Sequence, residues 1–121
     1  MLLLTIAALH ITFIRFYIYW TMRWVDIPVH ILAGIWIVLT AAWIFEWIFP
    51  ALSISFFEAI MLGLIVGGLW EISEVLMGIV NPFLHGYVAD TVKDMCDDVI
   101  GATLGFFVVL WMCKIEKTET Q

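Results

Sequence analysis

Uncharged apolar runs make up most of this chain and limit what it can fold into. One run covers residues 27–45 and another covers residues 99–113, and neither contains Asp, Glu, Lys or Arg. The first 14 residues also lack these four residue types. Such runs suit helices that cross a bilayer, because about 20 apolar residues span its hydrocarbon core. They are too long and too little alternating for the strands of a membrane barrel.

The composition agrees with a membrane location. Of the 121 residues, 64% are hydrophobic and 13% are charged, and the mean hydropathy is +1.09. A soluble domain is typically about 25% charged. We therefore expect an all-α, polytopic protein of a plasma membrane or bacterial inner membrane, in contact with the lipid bilayer. The net charge of −6 argues against nucleic acid as a partner.

Turn signals divide the chain into four expected helices. Pro50 ends the second helix and the pair Asn81–Pro82 ends the third. Ser55 and Glu58 have the spacing of a capping box at the start of the third helix. The predicted fold is a single domain, residues 1–121, built as an antiparallel bundle of four transmembrane helices. The expected helices cover residues 2–22, 27–49, 56–80 and 90–113, and a polar tail covers residues 114–121.

Most acidic residues fall in one segment, residues 70–102, which holds only one lysine, Lys93. The six acids are Glu71, Glu74, Asp90, Asp94, Asp97 and Asp98. In the predicted topology this segment joins the third and fourth helices at the membrane face where the second helix begins. Counted at about 1.5 Å per residue, four of the acids and His30 reach similar depths, roughly 6–14 Å below that face. The four acids are Glu71, Glu74, Asp94 and Asp98. Separate parts of the sequence are therefore expected to meet.

Helical periodicity directs these side chains toward small residues. Asp26 and His30 share a face with Gly34, and the two glutamates share a face with Gly63 and Gly67. On the fourth helix the aspartates share a face with Gly101 and Gly105. Small residues allow close contact between membrane helices. The acids are therefore expected along helix contacts. Asp26 and Asp90 are equally interpretable as N-caps. His10 has no acidic neighbour in the predicted topology, so it is interpreted as a packed histidine.

Ionised acids at membrane depth are costly and mark ion paths, relays or bound partners. Asp26 brings the number of acids expected on that side to seven. Only three basic residues are expected there, too few to neutralise them, so the pattern predicts a divalent metal. Carboxylate oxygens favour Mg²⁺, Mn²⁺ or Ca²⁺, and a histidine favours Mn²⁺, Zn²⁺ or Fe. The predicted ligands are His30, Glu71, Glu74, Asp94 and Asp98, with Asp26 and Asp90 as further candidates. The predicted anion or headgroup contacts are Arg15, Arg23 and Lys93.

Two classes of function fit this pattern, and the sequence leaves both open. The first is a metal-dependent hydrolase or transferase acting on a lipid or isoprenoid phosphate, for which no catalytic residue is assigned. The second is a non-enzymatic membrane protein. It would be a proton or cation path, or a small subunit whose acids pair with a basic partner. Four helices are few for a transporter alone, so a homo-oligomer or a larger membrane complex is a further expectation.

Three motifs carry a resemblance to a known group of proteins. They are "DIPVHILAG" with Asp26 and His30, "GGLWEISE" with Glu71 and Glu74, and "DTVKDMCDDVIGATLG" with Asp94 and Asp98. In this order they resemble the YjdF-like small bacterial inner-membrane proteins and, more distantly, the VanZ-like proteins. The resemblance covers residues 25–106. It implies a shared architecture and a shared polar site, and it implies no particular activity.

Overall fold

A computed structural model describes residues 1–49 and 53–119, and all the regular structure in these two ranges is helical. The all-α prediction is thereby confirmed. The elements are α1 (Leu2–Arg15), α2 (Ile18–Thr21), a 3-10 turn (Arg23–Val25), α3 (Asp26–Ile48), α4 (Phe56–Leu76) and α5 (Tyr87–Glu119).

The N-terminal segment differs from the single helix expected over residues 2–22. α1 ends at Arg15, and Tyr17 adopts a left-handed conformation with φ of 58° before the single turn of α2. A left-handed residue ends a helix because it cannot continue the right-handed hydrogen-bonding pattern. The 14 residues of α1 extend about 21 Å, which is short of a hydrocarbon core of about 30 Å. The described residues thus contain three candidate membrane spans, α3, α4 and α5, instead of four.

The other helix ends differ from expectation by a few residues. α3 lies within one residue of the expected range at each end. α4 ends four residues earlier than expected, and Gly78 with φ of 71° follows it. α5 begins at Tyr87, directly after Gly86 with φ of 96°. α5 also continues to Glu119, so most of the expected polar tail is helical, while residues 120–121 lie outside the described ranges.

Local sequence explains where α3 and α4 begin. Pro28 lies in the first turn of α3, where a missing N–H removes no intrahelical hydrogen bond. At α4, the Ser55 N–H donates to Glu58 Oε2 at 2.7 Å, and the Glu58 N–H donates to Ser55 Oγ at 3.3 Å. The expected capping box is confirmed. It places Glu58 at a helix terminus and away from the acidic cluster.

α3 and α5 run parallel and approach each other more closely than any other helix pair. A Cβ added at Gly34 would lie 2.5 Å from the Asp98 carbonyl oxygen, and one added at Gly105 would lie 3.0 Å from the Ile35 carbonyl oxygen. A Cβ added at Gly101 would overlap the Ile31 carbonyl oxygen. Residue numbers at the contacts increase together along the two helices, so both helices begin at the same end of the bundle.

α4 runs antiparallel to α5. A Cβ at Gly63 would lie 2.9 Å from that of Ala102, and one at Gly67 would lie 2.8 Å from Asp98 Cγ. Farther along, Phe56 packs on Phe106 with ring centroids 5.4 Å apart. Residues later in α4 therefore contact residues earlier in α5. The C-terminus of α4 therefore lies on the same side of the bundle as the N-termini of α3 and α5.

The bundle has an inverted distribution of polarity. The buried residues include His30, Glu71, Asp94, Asp97 and Asp98, each at most 7% exposed. Large apolar side chains instead cover the outside. Examples are Trp47 at 76% exposure, Leu69 at 60% and Phe107 at 58%. This arrangement fits a protein whose surface faces lipid, because lipid tails solvate apolar side chains and leave polar groups to be satisfied inside.

The contact between α3 and α5 yields a stability prediction. Gly101→Ala should lower stability by about 1–3 kcal/mol, because the new methyl group has no room against the backbone of α3. Gly68→Ala is the matched control, since its Cβ would meet only Met95, at 3.9 Å or more. Thermal unfolding in detergent measures both changes. An equal or higher midpoint for Gly101→Ala would contradict the close approach, because alanine is otherwise the better helix former.

Candidate metal centre

His30 lies between two carboxylates. Its Nε2 is 3.5 Å from Asp26 Oδ1, one turn earlier on α3, and its Nδ1 is 3.3 Å from Asp98 Oδ1 on α5. His30 is 5% exposed and Asp98 is 1% exposed. A neutral imidazole has one N–H, so it can donate to only one of the two carboxylates. The second ring nitrogen then has a lone pair that can accept a proton or bind a metal ion.

Asp94 completes a group with metal-binding geometry. Asp26, His30 and Asp94 each offer one ligand atom, and these atoms lie within 4.8 Å of one another. In the described ranges this is the one group of three or more potential ligands that meets this distance. Asp94 lies one turn before Asp98 on α5, so the parallel packing of α3 and α5 brings the group together.

Asp98 is better placed to orient His30 than to bind the ion directly. With Nδ1–H donating to Asp98, the His30 ring presents Nε2 toward Asp26. Metal-binding histidines commonly donate their other N–H to a carboxylate, which fixes the tautomer and the ring orientation. The residues therefore fit a cation held by two aspartates and one histidine, with Asp98 behind the ring.

Lys93 already places a positive charge at this group. Its ammonium group donates to Asp94 Oδ1 and lies 3.6 Å from Asp26 Oδ2 and 3.7 Å from Asp97 Oδ2. The Lys93 side chain is 33% exposed, so it reaches the aspartates from a partly open side. Lys93 is therefore paired with aspartates in this structure, and its predicted contact with a bound anion or lipid headgroup stays a prediction.

The aspartates nevertheless outnumber the positive charges. Asp26, Asp94, Asp97 and Asp98 carry four negative charges when ionised, against one for Lys93 and at most one for His30. Asp97 Oδ2 and Asp98 Oδ2 are buried without a hydrogen-bond donor. Buried charges are strongly disfavoured unless they are paired or bind metals. A divalent cation would supply the missing charge.

Glu71 and Glu74 lie beside the aspartates, outside the group of three ligands. Glu71 Oε2 accepts a hydrogen bond from Thr91 Oγ1 at 3.0 Å, while its Oε1 is buried without a donor. Glu74 Oε1 accepts from Trp70 Nε1 at 3.1 Å. Both glutamates line a cavity of about 380 Å³ that also reaches Asp26 and Asp94. We call this space the polar cavity. Its other lining residues include Tyr19, Trp20, His85, Tyr87, Asp90 and Thr91.

The remaining predicted site residues have separate positions. Asp90 lies in the first turn of α5 and lines the polar cavity without belonging to the ligand group. Arg15 is exposed at the end of α1. Arg23 lies in the 3-10 turn, and its side chain is outside the described part of the structure. Their predicted contact with an anion stays a prediction.

Thr91 and Asp97 lie at the site but were not among its predicted residues. A signal for Thr91 is present, because Thr91, Asp94 and Asp98 follow the i, i+3, i+7 spacing of one helix face. Asp97 lies on the acidic stripe of α5, and its pairing with Lys93 follows the i, i+4 spacing.

The packing of Gly67 against Asp98 predicts a specific mutational effect. Gly67→Ala would place a methyl group against the Asp98 carboxylate and push it away from His30. We expect the affinity for Mn²⁺ to fall about 10–100-fold, the usual effect of losing the residue that orients a metal-binding histidine. Titration with Mn²⁺, followed by thermal stability, measures this. The adjacent variant Gly68→Ala should keep the wild-type affinity, and equal behaviour of the two variants would contradict the assigned contact.

The chain was compared with family models, curated proteins and solved structures, and only a family model matches. No curated protein and no solved structure matches the chain. One family model, described as "Predicted membrane protein (DUF2238)", matches residues 1–115. The match includes all three candidate spans almost to the end of α5, together with every residue of the candidate metal centre. The chain therefore belongs to the DUF2238 family of membrane proteins.

Proposed function

We propose that this protein binds a divalent cation through Asp26, His30 and Asp94, and that the cation supports a reaction on the phosphate group of a lipid. The observation that carries the proposal is the placement of three ligand atoms within 4.8 Å of one another. They lie inside a cluster of buried aspartates that lacks enough positive charge. Two carboxylates and one imidazole favour Mn²⁺, Zn²⁺ or Fe over Ca²⁺, which prefers an all-oxygen shell.

The polar cavity supports the second half of the proposal. It shares Asp26 and Asp94 with the ligand group and has room for a phosphate-sized headgroup. Glu71, Glu74 and Asp90 also line it, so it repels a phosphate as long as no cation is bound. Phosphate binding would therefore depend on the metal. A bound divalent ion polarises phosphoryl oxygens and lowers the pKa of a bound water.

The chain's own residues would have distinct tasks in such a site. Asp98 would hold the His30 ring in the orientation that exposes Nε2. Thr91 would keep Glu71 directed into the polar cavity through their hydrogen bond. Lys93 would neutralise part of the aspartate charge while the site holds no ion, and its ammonium group could turn toward an anionic headgroup when a cation replaces it.

The alternative of a proton or cation path has one supporting observation and one opposing observation. Buried oxygens without donors on Glu71, Asp97 and Asp98 suit a proton relay. Beyond Asp98, however, the contact between α3 and α5 is formed by Gly34, Gly101 and closely packed backbone. In the described helices, the acidic side chains at this contact extend no deeper than Asp98. We therefore favour binding at one membrane face.

The metal proposal predicts a stoichiometric site. Purified protein should bind about one Mn²⁺ per chain, and Asp94→Asn should weaken this binding at least about tenfold because an anionic ligand is lost. Glu46→Gln is the control, since Glu46 is exposed near the far end of α3. Mass-spectrometric metal analysis and Mn²⁺ titration provide the measurement. Equal binding by wild type and Asp94→Asn would refute the metal site. The proposed reaction on a lipid phosphate would then also lose its support, because it depends on the bound metal.

Lys93 provides an independent test, because a metal ion and an ammonium group compete for the same oxygens. Lys93→Met should raise the Mn²⁺ affinity about tenfold or more, as removal of a like charge near a binding group does. Lys114→Met, at an exposed position near the other end of α5, should have no effect. A lower affinity in Lys93→Met would show that the lysine supports the site in place of competing with the ion.

A further inference from the structure

The polar cavity keeps an excess of negative charge even when the proposed metal ion is counted. A divalent ion would balance Asp26 and Asp94, but Glu71 and Glu74 line the same space. Among the described residues that line it there is no lysine or arginine, and the exposed His85 is the one side chain that can become positively charged. A phosphate group bound to the ion would therefore share the cavity with two carboxylates that repel it.

The two glutamates lack a cationic partner. Neither of them forms an ion pair with a described basic residue. Glu71 is 6% exposed, its Oε2 accepts a hydrogen bond from Thr91 Oγ1, and its Oε1 has no donor. Glu74 lies three residues later on α4, so the two side chains are neighbours, and its Oε1 accepts from Trp70 Nε1. Because buried negative charge is costly without a cation, a positively charged group in the cavity would be stabilised beside this pair.

The surroundings of the glutamates favour an organic cation over a second metal ion. In the described ranges, the one group whose ligand atoms lie within 4.8 Å of one another includes neither glutamate. Aromatic side chains line the same cavity, namely those of Tyr19, Trp20 and Tyr87. Aromatic rings attract ammonium and other organic cations, and they offer no lone pair of the kind that metal ions require. Carboxylates and aromatic rings around one space therefore indicate a cationic organic group.

A primary ammonium group suits the two glutamates better than a quaternary one. It carries three N–H donors, whereas ionised carboxylates only accept. A quaternary ammonium group has no donor, so it would compensate the charge but leave carboxylate oxygens without hydrogen bonds. The metal ligands and the glutamates line the same cavity of about 380 Å³, so one short headgroup would have both within reach.

From these observations we propose that the polar cavity binds an aminoalkyl phosphate, with the phosphate at the metal ion and the primary ammonium group beside Glu71 and Glu74. This assignment rests on the proposed metal function and names the class of lipid phosphate on which it acts. Glu74 would accept N–H groups directly, and the ammonium charge would also compensate the neighbouring Glu71 without touching its buried oxygen. The positive end of the headgroup would thereby remove the repulsion between its phosphate and the glutamates.

The test compares two small ligands that differ in the ammonium group. Phosphoethanolamine and propyl phosphate have the same length, and a methyl group replaces the ammonium group in the second. Each is added to full-length protein in detergent, saturated with Mn²⁺, and binding is followed by thermal stability. Wild type should bind phosphoethanolamine about tenfold more tightly, the effect of hydrogen bonds to a charged group. Equal, Mn²⁺-dependent binding of both compounds would overturn the ammonium contact and leave the metal function intact.

Substitution of the glutamates tests where the ammonium group lies. Glu74→Gln removes the charge and keeps an oxygen that can accept from Trp70. It should lower the preference for phosphoethanolamine over propyl phosphate about tenfold, and Glu71→Gln should change it in the same direction. Glu46→Gln is the matched control, since Glu46 is exposed near the far end of α3. The ratio of two affinities within one variant does not depend on its folded fraction, so an unchanged ratio in both cavity variants would overturn the assignment.

Phosphocholine tests the requirement for N–H donors. It should bind more weakly than phosphoethanolamine, and tighter binding of phosphocholine would overturn the primary ammonium group. Removal of Mn²⁺ separates the two proposals, because phosphoethanolamine should then lose most of its affinity. Binding that persists without Mn²⁺ but still depends on Glu74 would refute the metal function and retain the ammonium contact.

Dihexanoyl phosphatidylethanolamine distinguishes a lipid headgroup from a free aminoalkyl phosphate. It should bind more tightly than phosphoethanolamine under the same conditions, because the proposed function acts on a lipid. Tighter binding of free phosphoethanolamine would overturn the lipid and assign the same chemistry to a soluble aminoalkyl phosphate.

Discussion

The close contact between α3 and α5 is the constraint on which the rest of the structure depends. Gly34, Gly101 and Gly105 allow the two backbones to meet with no side chain between them. That contact fixes the helices in parallel and in one register. As a result, Asp26 and His30 face Asp94 and Asp98 across the interface, and the candidate metal centre is a product of backbone packing.

The polar interior follows from the same constraint. Helices held this close have little room for large side chains, so the core between them consists of small residues and a few short polar ones. Val38, Ala59 and Ala102 are fully buried, whereas most large apolar side chains face outward. In a bilayer this costs little, because lipid replaces the protein core as the solvent for apolar groups. The interior is thus available for charged groups, whose cost a bound cation would offset.

The sequence predicted the helical class, the capping box at Ser55 and the convergence of His30 with Asp94 and Asp98, because helical periodicity and glycine spacing are local properties. It did not predict the break at Tyr17, since no proline or glycine marks it. The sequence also did not predict which role each acid has at the site. These roles depend on which oxygen faces which helix, and that is set by the packing of α3, α4 and α5 together.

The parallel direction of α3 and α5 has an electrostatic consequence. Both helices begin at the end of the bundle that holds the acids, and Asp26 and Asp90 lie in their first turns. A helix N-terminus carries a partial positive charge of roughly half a unit, and a C-terminus carries the opposite charge. Glu74 lies in the last turn of α4, where the helix dipole opposes its charge. The backbone therefore stabilises ionised aspartates where α3 and α5 begin and makes an ionised Glu74 more costly where α4 ends.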